Sequence, residues 1–185
     1  VRLGTGGGVV NGEITLSSLT LSAGLSANQY AGSFAVTGAT TITAPETSQN
    51  VGGGNFARTT TTALSVASSA ATFTFGDLTI ASAPAANRTT GGSTVGVSLN
   101  GNSGAFTVGG TTTISDTVED SIRITSTSGA ISFGATVINN PNAAPLVAGT
   151  YIGAIPASSG IDVSGTITGA VSFADLDIAL SNANA

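Results

Sequence analysis

The sequence predicts an all-β fold, and three observations carry that prediction. Helix formers are scarce, apolar residues alternate with Thr and Ser, and one strand-break-strand pattern recurs six times. Of 185 residues only 7% are charged, against about 25% in ordinary soluble domains. Lysine is absent, and the positive charges are Arg2, Arg58, Arg88 and Arg123. Gly and β-branched Thr and Val disfavour helix, and the surface helix formers Lys, Glu and Gln are nearly missing. The most helix-like run, Ala63 to Ala71, is interrupted by serines. Positive mean hydropathy with few charges is the opposite of a disordered profile, so the chain is expected to fold.

The recurring pattern reads apolar-x-apolar, a short break, then apolar-x-apolar. In chain order the first copy is Ile14-Thr-Leu16, Ser17-Ser18, Leu19-Thr-Leu21. The second, Phe34-Ala-Val36 to Thr40-Thr-Ile42, has the three-residue break Thr37-Gly-Ala39. The third is Phe73-Thr-Phe75, Gly76-Asp77, Leu78-Thr-Ile80. The fourth, Phe106-Thr-Val108 to Thr112-Thr-Ile114, again breaks over three residues, Gly109-Gly-Thr111. The fifth is Ile131-Ser-Phe133, Gly134-Ala135, Thr136-Val-Ile138, and the sixth is Val171-Ser-Phe173, Ala174-Asp175, Leu176-Asp-Ile178.

Parity makes the break necessary. A straight strand alternates faces with period two. Phe73 and Phe75 therefore share a face, while Leu78 and Ile80 would point the other way. A two-residue hairpin loop returns all four to one face. A corner between strands of a parallel β-helix does so equally well. Successive copies start about 20, 39, 33, 25 and 40 residues apart, and solenoids usually keep a steadier period. The expectation is an antiparallel β-sandwich or jelly-roll-like domain with hairpins and long loops, with a right-handed parallel β-helix as the alternative. Residues 1–10 read as a flexible N-terminal arm and 11–185 as a single β domain. Pro45 to Thr62 and Asn139 to Ser159 read as long irregular segments.

Composition removes most chemistry. Without His or Cys there is no Ser-His-Asp or Cys-His nucleophile. Without Lys there is no Schiff base and no P-loop. Zinc and other His- or Cys-based metal sites lack ligands. A glycosidase pair of carboxylates survives as arithmetic, but Trp platforms for sugar are absent. Net charge of −5 and four scattered arginines argue against nucleic acid, which demands clustered cations. No apolar window is long enough for a transmembrane helix. The expectation is a protein that is not an enzyme, with no cofactor.

A few candidates remain. Asp116, Glu119 and Asp120 cluster ahead of Ile122-Arg-Ile124, a calcium candidate because hard oxygen ligands gather there. The favoured reading is a solvated loop with Arg123 as ion partner. Asp175 reads as a turn residue and Asp177 as solvent-facing. Thr40-Thr41, Thr59 to Thr62 and Thr111 to Thr113 raise ice binding, with carbohydrate as a companion minor possibility. Contiguous threonines alternate faces and these runs are unevenly spaced, so strand propensity explains them. Asn87-Arg88-Thr89 fits the glycosylation sequon, a triplet frequent by chance.

The missing residues also bear on assembly. Soluble sheets often protect edge strands with Lys and inward charge, and this chain has little of either. Its edges are expected to pair with another repeat or subunit. Val1, Leu3, Val9 and Val10, in the segment Val1 to Val10, are the candidate donor strand.

The copies Ile14 to Leu21, Phe73 to Ile80 and Val171 to Ile178 resemble the strand-turn-strand units of secreted adhesins of the filamentous-haemagglutinin type. The low-charge Gly/Ala/Ser/Thr composition is similar to bacterial pilus and surface-layer subunits. The resemblance implies a secreted, cell-surface protein without catalytic residues. Lack of cysteine and a first residue without a leader are read the same way. The expected function is a structural subunit of an extracellular filament or surface layer. Such a subunit would assemble with copies of itself by β-strand addition. The alternative is a β-helical adhesin segment that binds a host or matrix ligand.

Overall fold

Each of the six copies becomes the long side of one coil, and the coils stack on one another. The structure is a computed structural model, and it describes residues 1–4, 11–22, 24–43, 48–52, 55–58, 62–81, 95–115, 117, 120–140, 150–151 and 160–180. Coil 1 holds β1 (Arg2–Leu3), β2 (Glu13–Leu16) and β3 (Leu19–Leu21). Coil 2 holds β4 (Leu25–Asn28) and β5 (Ser33–Thr43). Two strands, β6 (Ser48–Gly52) and β7 (Asn55–Arg58), precede coil 3, which holds β8 (Thr62–Ala67) and β9 (Thr72–Ala81). Coil 4 holds β10 (Val95–Asn100), β11 (Phe106–Val108) and β12 (Thr112–Ser115). Coil 5 holds β13 (Ile122–Thr125) and β14 (Ile131–Asn140). After β15 (Thr150–Tyr151) comes coil 6, with β16 (Ile161–Ser164) and β17 (Val171–Leu180).

The short strands form one sheet in the order β1-β4-β8-β10-β13-β16. The long strands form a second, running from β2 and β3 through β5, β9, the β11/β12 pair and β14 to β17. Every pairing in both sheets is parallel. This overturns the antiparallel sandwich: the copies do not fold back as hairpins, and each pairs with its counterpart in the next coil. That is the coil-on-coil order of a parallel β-helix. The antiparallel pair among the described strands is β6 with β7, which β15 joins in parallel to make a small third sheet.

The parity break is a corner. In β9 the inward residues Phe73, Phe75, Leu78 and Ile80 are all buried, while Asp77 is exposed. Two residues in the break turn the chain and return the apolar side inward. Of Ala63 to Ala71, the best helical candidate in sequence, the first five residues lie in strand β8 and the rest form the corner after it.

From coil 2 onward, length varies chiefly at one corner. From Ala27 to Phe34, Val66 to Phe73, Leu99 to Phe106 and Ile124 to Ile131 the step is seven residues, and from Val163 to Val171 it is eight. The long insertions between coils 2 and 6 leave from the opposite end of the long strand, after Thr43, Ala81, Ser115 and Asn140. Coil 1 differs, because Leu3 and Ile14, the partners of Ala27 and Phe34, stand further apart. The uneven period of copies two to six is thus a regular coil with loops of different size at that corner.

Inside, apolar columns run along the stack. Phe34, Phe73, Phe106, Ile131 and Val171 are in register, as are Val36, Phe75, Val108, Phe133 and Phe173. Their rings contact from coil to coil, ending in a stacked Phe133–Phe173 pair at 5.0 Å.

Candidate functional site

The corner after the short strand has one backbone solution in coils 2 to 6. Gln29, Ser68, Gly101, Ser126 and Gly165, one residue past registered strand ends, all have positive φ between 48° and 74°. Non-glycine residues rarely adopt this conformation. The next residues, Tyr30, Ser69, Asn102 and Thr127, turn inward and are buried. They satisfy one another's backbone. The Asn102 amide donates to the Val66 carbonyl at 2.8 Å, and its Oδ1 accepts from the Ser69 N–H at 3.0 Å. Thr127 Oγ1 donates to the Asn102 carbonyl at 2.6 Å, and Ser69 Oγ donates to the Tyr30 carbonyl. The Tyr30 hydroxyl has one proton and lies within hydrogen-bond reach of two carbonyls, donating to that of Gly12, the nearer, with that of Ser33 as the second acceptor at 3.0 Å. Burial, reinforced by the Glu13 carboxylate, pushes that hydroxyl above its ordinary pKa. This column is a structural seam, since its polar groups are turned into the core.

The outer faces carry registered polar columns. Thr20, Thr41, Thr79 and Thr113 fall beside one another in coils 1 to 4, followed by Val137 and Asp177. The contiguous runs do alternate faces, as their sequence predicts: Thr40 and Thr112 point inward and are buried, whereas Thr41 and Thr113 lie on the outside. Uneven spacing in sequence nevertheless gives one threonine per coil over four coils.

The ends of the stack differ from its middle. Among the described strands β17 pairs with β14 alone, and β16 with β13 alone. Among the described strands none covers the inward residues of coil 6 on the side away from coil 5. Val163 is 50% exposed, Leu176 42% and Ile178 40%. Ile161, Val171 and Phe173 are half-buried. At the other end Ile14, Leu16, Leu19 and Leu21 are half-buried too. No inward position of either terminal coil is charged. The charges lie on the outside: Arg2 and Glu13 at one end, Asp162, Asp175 and Asp177 at the other.

The predicted donor segment is placed in part. Arg2–Leu3 pairs with Ser26–Ala27 of its own chain, Leu3 fills the core, and the Ser26 N–H donates to the Val1 carbonyl at 2.9 Å. Val1 is exposed, with its amino group 3.0 Å from the Gly24 carbonyl. Val9 and Val10 lie outside the described residues. So do Asp116 and Glu119 of the calcium candidate, and Asn87-Arg88-Thr89. Asp120 is buried and paired with Arg123, whose Nε and Nη2 both lie 2.6 Å from Oδ2. Among the described residues no acidic cluster is suited to a metal ion. Asp175 accepts from the Leu176 N–H in the corner, and Asp177 is exposed. No described helix is long and apolar enough to cross a membrane.

Sequence reasoning missed the short strands. Leu25-x-Ala27, Leu64-x-Val66, Val97-x-Leu99, Ile122-x-Ile124 and Ile161-x-Val163 precede copies two to six at a nearly constant distance. That constant spacing is the signal that identifies coils. No protein-family model, curated protein or solved structure matches this chain.

Proposed function

We propose that the chain is a non-catalytic structural stretch of an extracellular filament or surface layer, assembling with copies of itself by β-strand addition. One observation carries this reading. Among the described strands the ten-residue β17 is paired on one side alone, and its inward side chains Val171, Phe173, Leu176 and Ile178 are apolar and partly open to solvent. Natural sheets usually blunt such an edge with Lys, Pro or an inward charge. Here the inward set is Val171, Phe173, Leu176 and Ile178, with Ile161 and Val163 on β16. Fully burying an exposed side chain of this kind contributes about 1.5–3 kcal/mol, and these half-covered ones would gain a part of that. A matching coil laid on the edge would gain that from several residues, together with a parallel backbone ladder. The low-charge surface and the lack of cysteine support a place outside the cell.

Electron microscopy of the native material tests the reading. Fibres or sheets are expected. A chain that stays monomeric at every concentration reached, by sedimentation velocity, would reject it.

A second reading has its own observation. From coil 2 onward the long insertions leave the stack at one corner, and β6, β7 and β15, which belong to them, form a sheet separate from the coils. Binding and recognition concentrate in loops held on a rigid scaffold. A β-helical adhesin that presents this corner to a host or matrix ligand is the alternative. A glycan and matrix-protein array tests it, with a variant whose insertion after Ala81 is shortened.

A further inference from the structure

We infer that the small third sheet is a clasp between distant coils. It ties the connection that enters coil 3 to the connection that enters coil 6, so that the docking of each coil supports the other across coils 4 and 5. The clasp acts within one chain and stands apart from the assembly reading.

Each connection is marginal alone. β6 and β7 pair antiparallel, with Gly53 and Gly54 between them in sequence. A lone two-stranded hairpin is barely stable in water, and a third strand is the usual remedy. β15 has two residues and forms no sheet by itself. The third strand therefore comes from far along the chain. Thr150 pairs with Asn55 and Tyr151 with Phe56, in parallel. β7 is the central strand of the order β15-β7-β6 and uses both of its edges. Neither connection completes the sheet without the other.

Chain length sets how far the clasp reaches. β7 ends at Arg58 and β8 of coil 3 begins at Thr62, so β7 stays within about 14 Å of coil 3. In the short-strand sheet β10 and β13 stand between β8 and β16 of coil 6, which puts β16 about 14 Å from β8 along the stack. β15 ends at Tyr151 and β16 begins at Ile161, a stretch that spans up to about 35 Å. The connection into coil 6 is long enough to come back past coils 5 and 4 to the coil 3 side.

A solenoid repeat normally contacts only its neighbours, and stability is close to a sum of nearest-neighbour terms. The ladder between β7 and β15 adds a term that skips coils 4 and 5. Its size follows from tether length. Pinning β15 shortens the tether of coil 6 from residues 141–160 to residues 152–160. Halving a loop favours its closure by about threefold. The coupling is reciprocal, since linkage requires each site to change the other equally.

Hydrogen exchange on the whole chain, read by mass spectrometry, tests the clasp. Deleting residues 48–58 leaves 44–47 and 59–61 to join β5 to β8, about as much chain as residues 116–121, which join β12 to β13. Exchange in β16 is expected to rise about threefold, with smaller changes in β10 and β13, although those strands lie nearer the deletion. Thr150→Pro combined with Tyr151→Pro removes both backbone donors of β15 and should loosen β8 of coil 3 in return. Effects that fade steadily with distance from each change would overturn the clasp. A cross-link keeps the test decisive if the deletion unfolds the chain. The sequence has no cysteine, so Asn55→Cys with Thr150→Cys offers a single pair, and registered neighbours stand within disulfide range. The pair should close within the monomer under oxidised glutathione and slow exchange in β16. A folded chain that forms no such bond overturns the inference and leaves the assembly reading untouched.

Discussion

Phe75 and Phe173 stand in one column of one sheet, yet the first is sealed in the core and the second is half-open. The same holds for Ile80 and Ile178, which differ from fully buried to 40% exposed. The residue types match, so the difference is one of position. In a stack each coil is finished by its neighbours, and a terminal coil has only one. Burial here is a property of the pile and not of the repeat, which is why solenoids need a cap or a continuation.

The sharpest way to break that comparison is to truncate both rings. Phe75→Ala should destabilise the chain by about 3–5 kcal/mol, the range for a sealed aromatic. Phe173→Ala should cost less than about half as much in dilute solution, because part of its ring is already wet. Urea unfolding measures both. Equal costs would mean that coil 6 is as well covered as the middle coils.

Corner glycines sharpen the same contrast. Gly129→Ala drives a methyl group into the Gly104 carbonyl, and backbone cannot yield as a side chain can. A loss of about 2–4 kcal/mol is expected, in the range of severe core substitutions. A Cβ at Gly12 meets nothing within 4 Å, so Gly12→Ala should change stability by about 0.5 kcal/mol or less in the monomer. Thermal melts of the two variants at low protein concentration check this.

Much of the fold was legible in the sequence, and the reason for the failure is specific. The six copies, their inward residues and the break in parity are all where Ile14 to Ile178 placed them. The direction of pairing was not legible from the copies, because a hairpin and a corner repair parity alike. The intervals then misled, since the insertions after Thr43, Ala81 and Asn140 stretch the period without changing the coil. Counting from Val66 to Phe73 or Ile124 to Ile131, across the fixed corner, restores it. The candidate ends were not legible at all. Leu176 and Leu78 occupy equivalent slots in their copies, and stacking alone makes one exposed and the other buried. The calcium candidate drew on Asp120, which the fold turns inward onto Arg123.

Middle coils also carry polar groups that terminal coils lack. Asn102→Ala removes the acceptor for the Ser69 N–H and leaves a buried donor unmatched, at a cost of about 1–3 kcal/mol. Denaturant midpoints should fall accordingly. Thr112 moves the other way. Its side chain is buried, and Oγ1 has no hydrogen-bond partner. Thr112→Val keeps the shape and removes that penalty, so stability should rise by about 1 kcal/mol. A fall would mean that the hydroxyl is satisfied.

The smallest effect reads the terminal coil directly. Tyr30 belongs to coil 2, but its hydroxyl is covered by coil 1, bonded to the Gly12 carbonyl and close to Glu13. Both burial and that carboxylate disfavour the phenolate, so the folded pKa lies above the unfolded value of 10.0. The neutral phenol is the stabilised form. Its contribution is therefore complete below about pH 10 and is lost as pH rises through the folded value. The chain has two tyrosines, so subtracting the ultraviolet titration of Tyr30→Phe isolates this one. A raised midpoint reports coil 1 docked on coil 2. A midpoint at the ordinary tyrosine value in an otherwise folded chain would mean that coil 1 frays, and that the true end of the stable stack is coil 2.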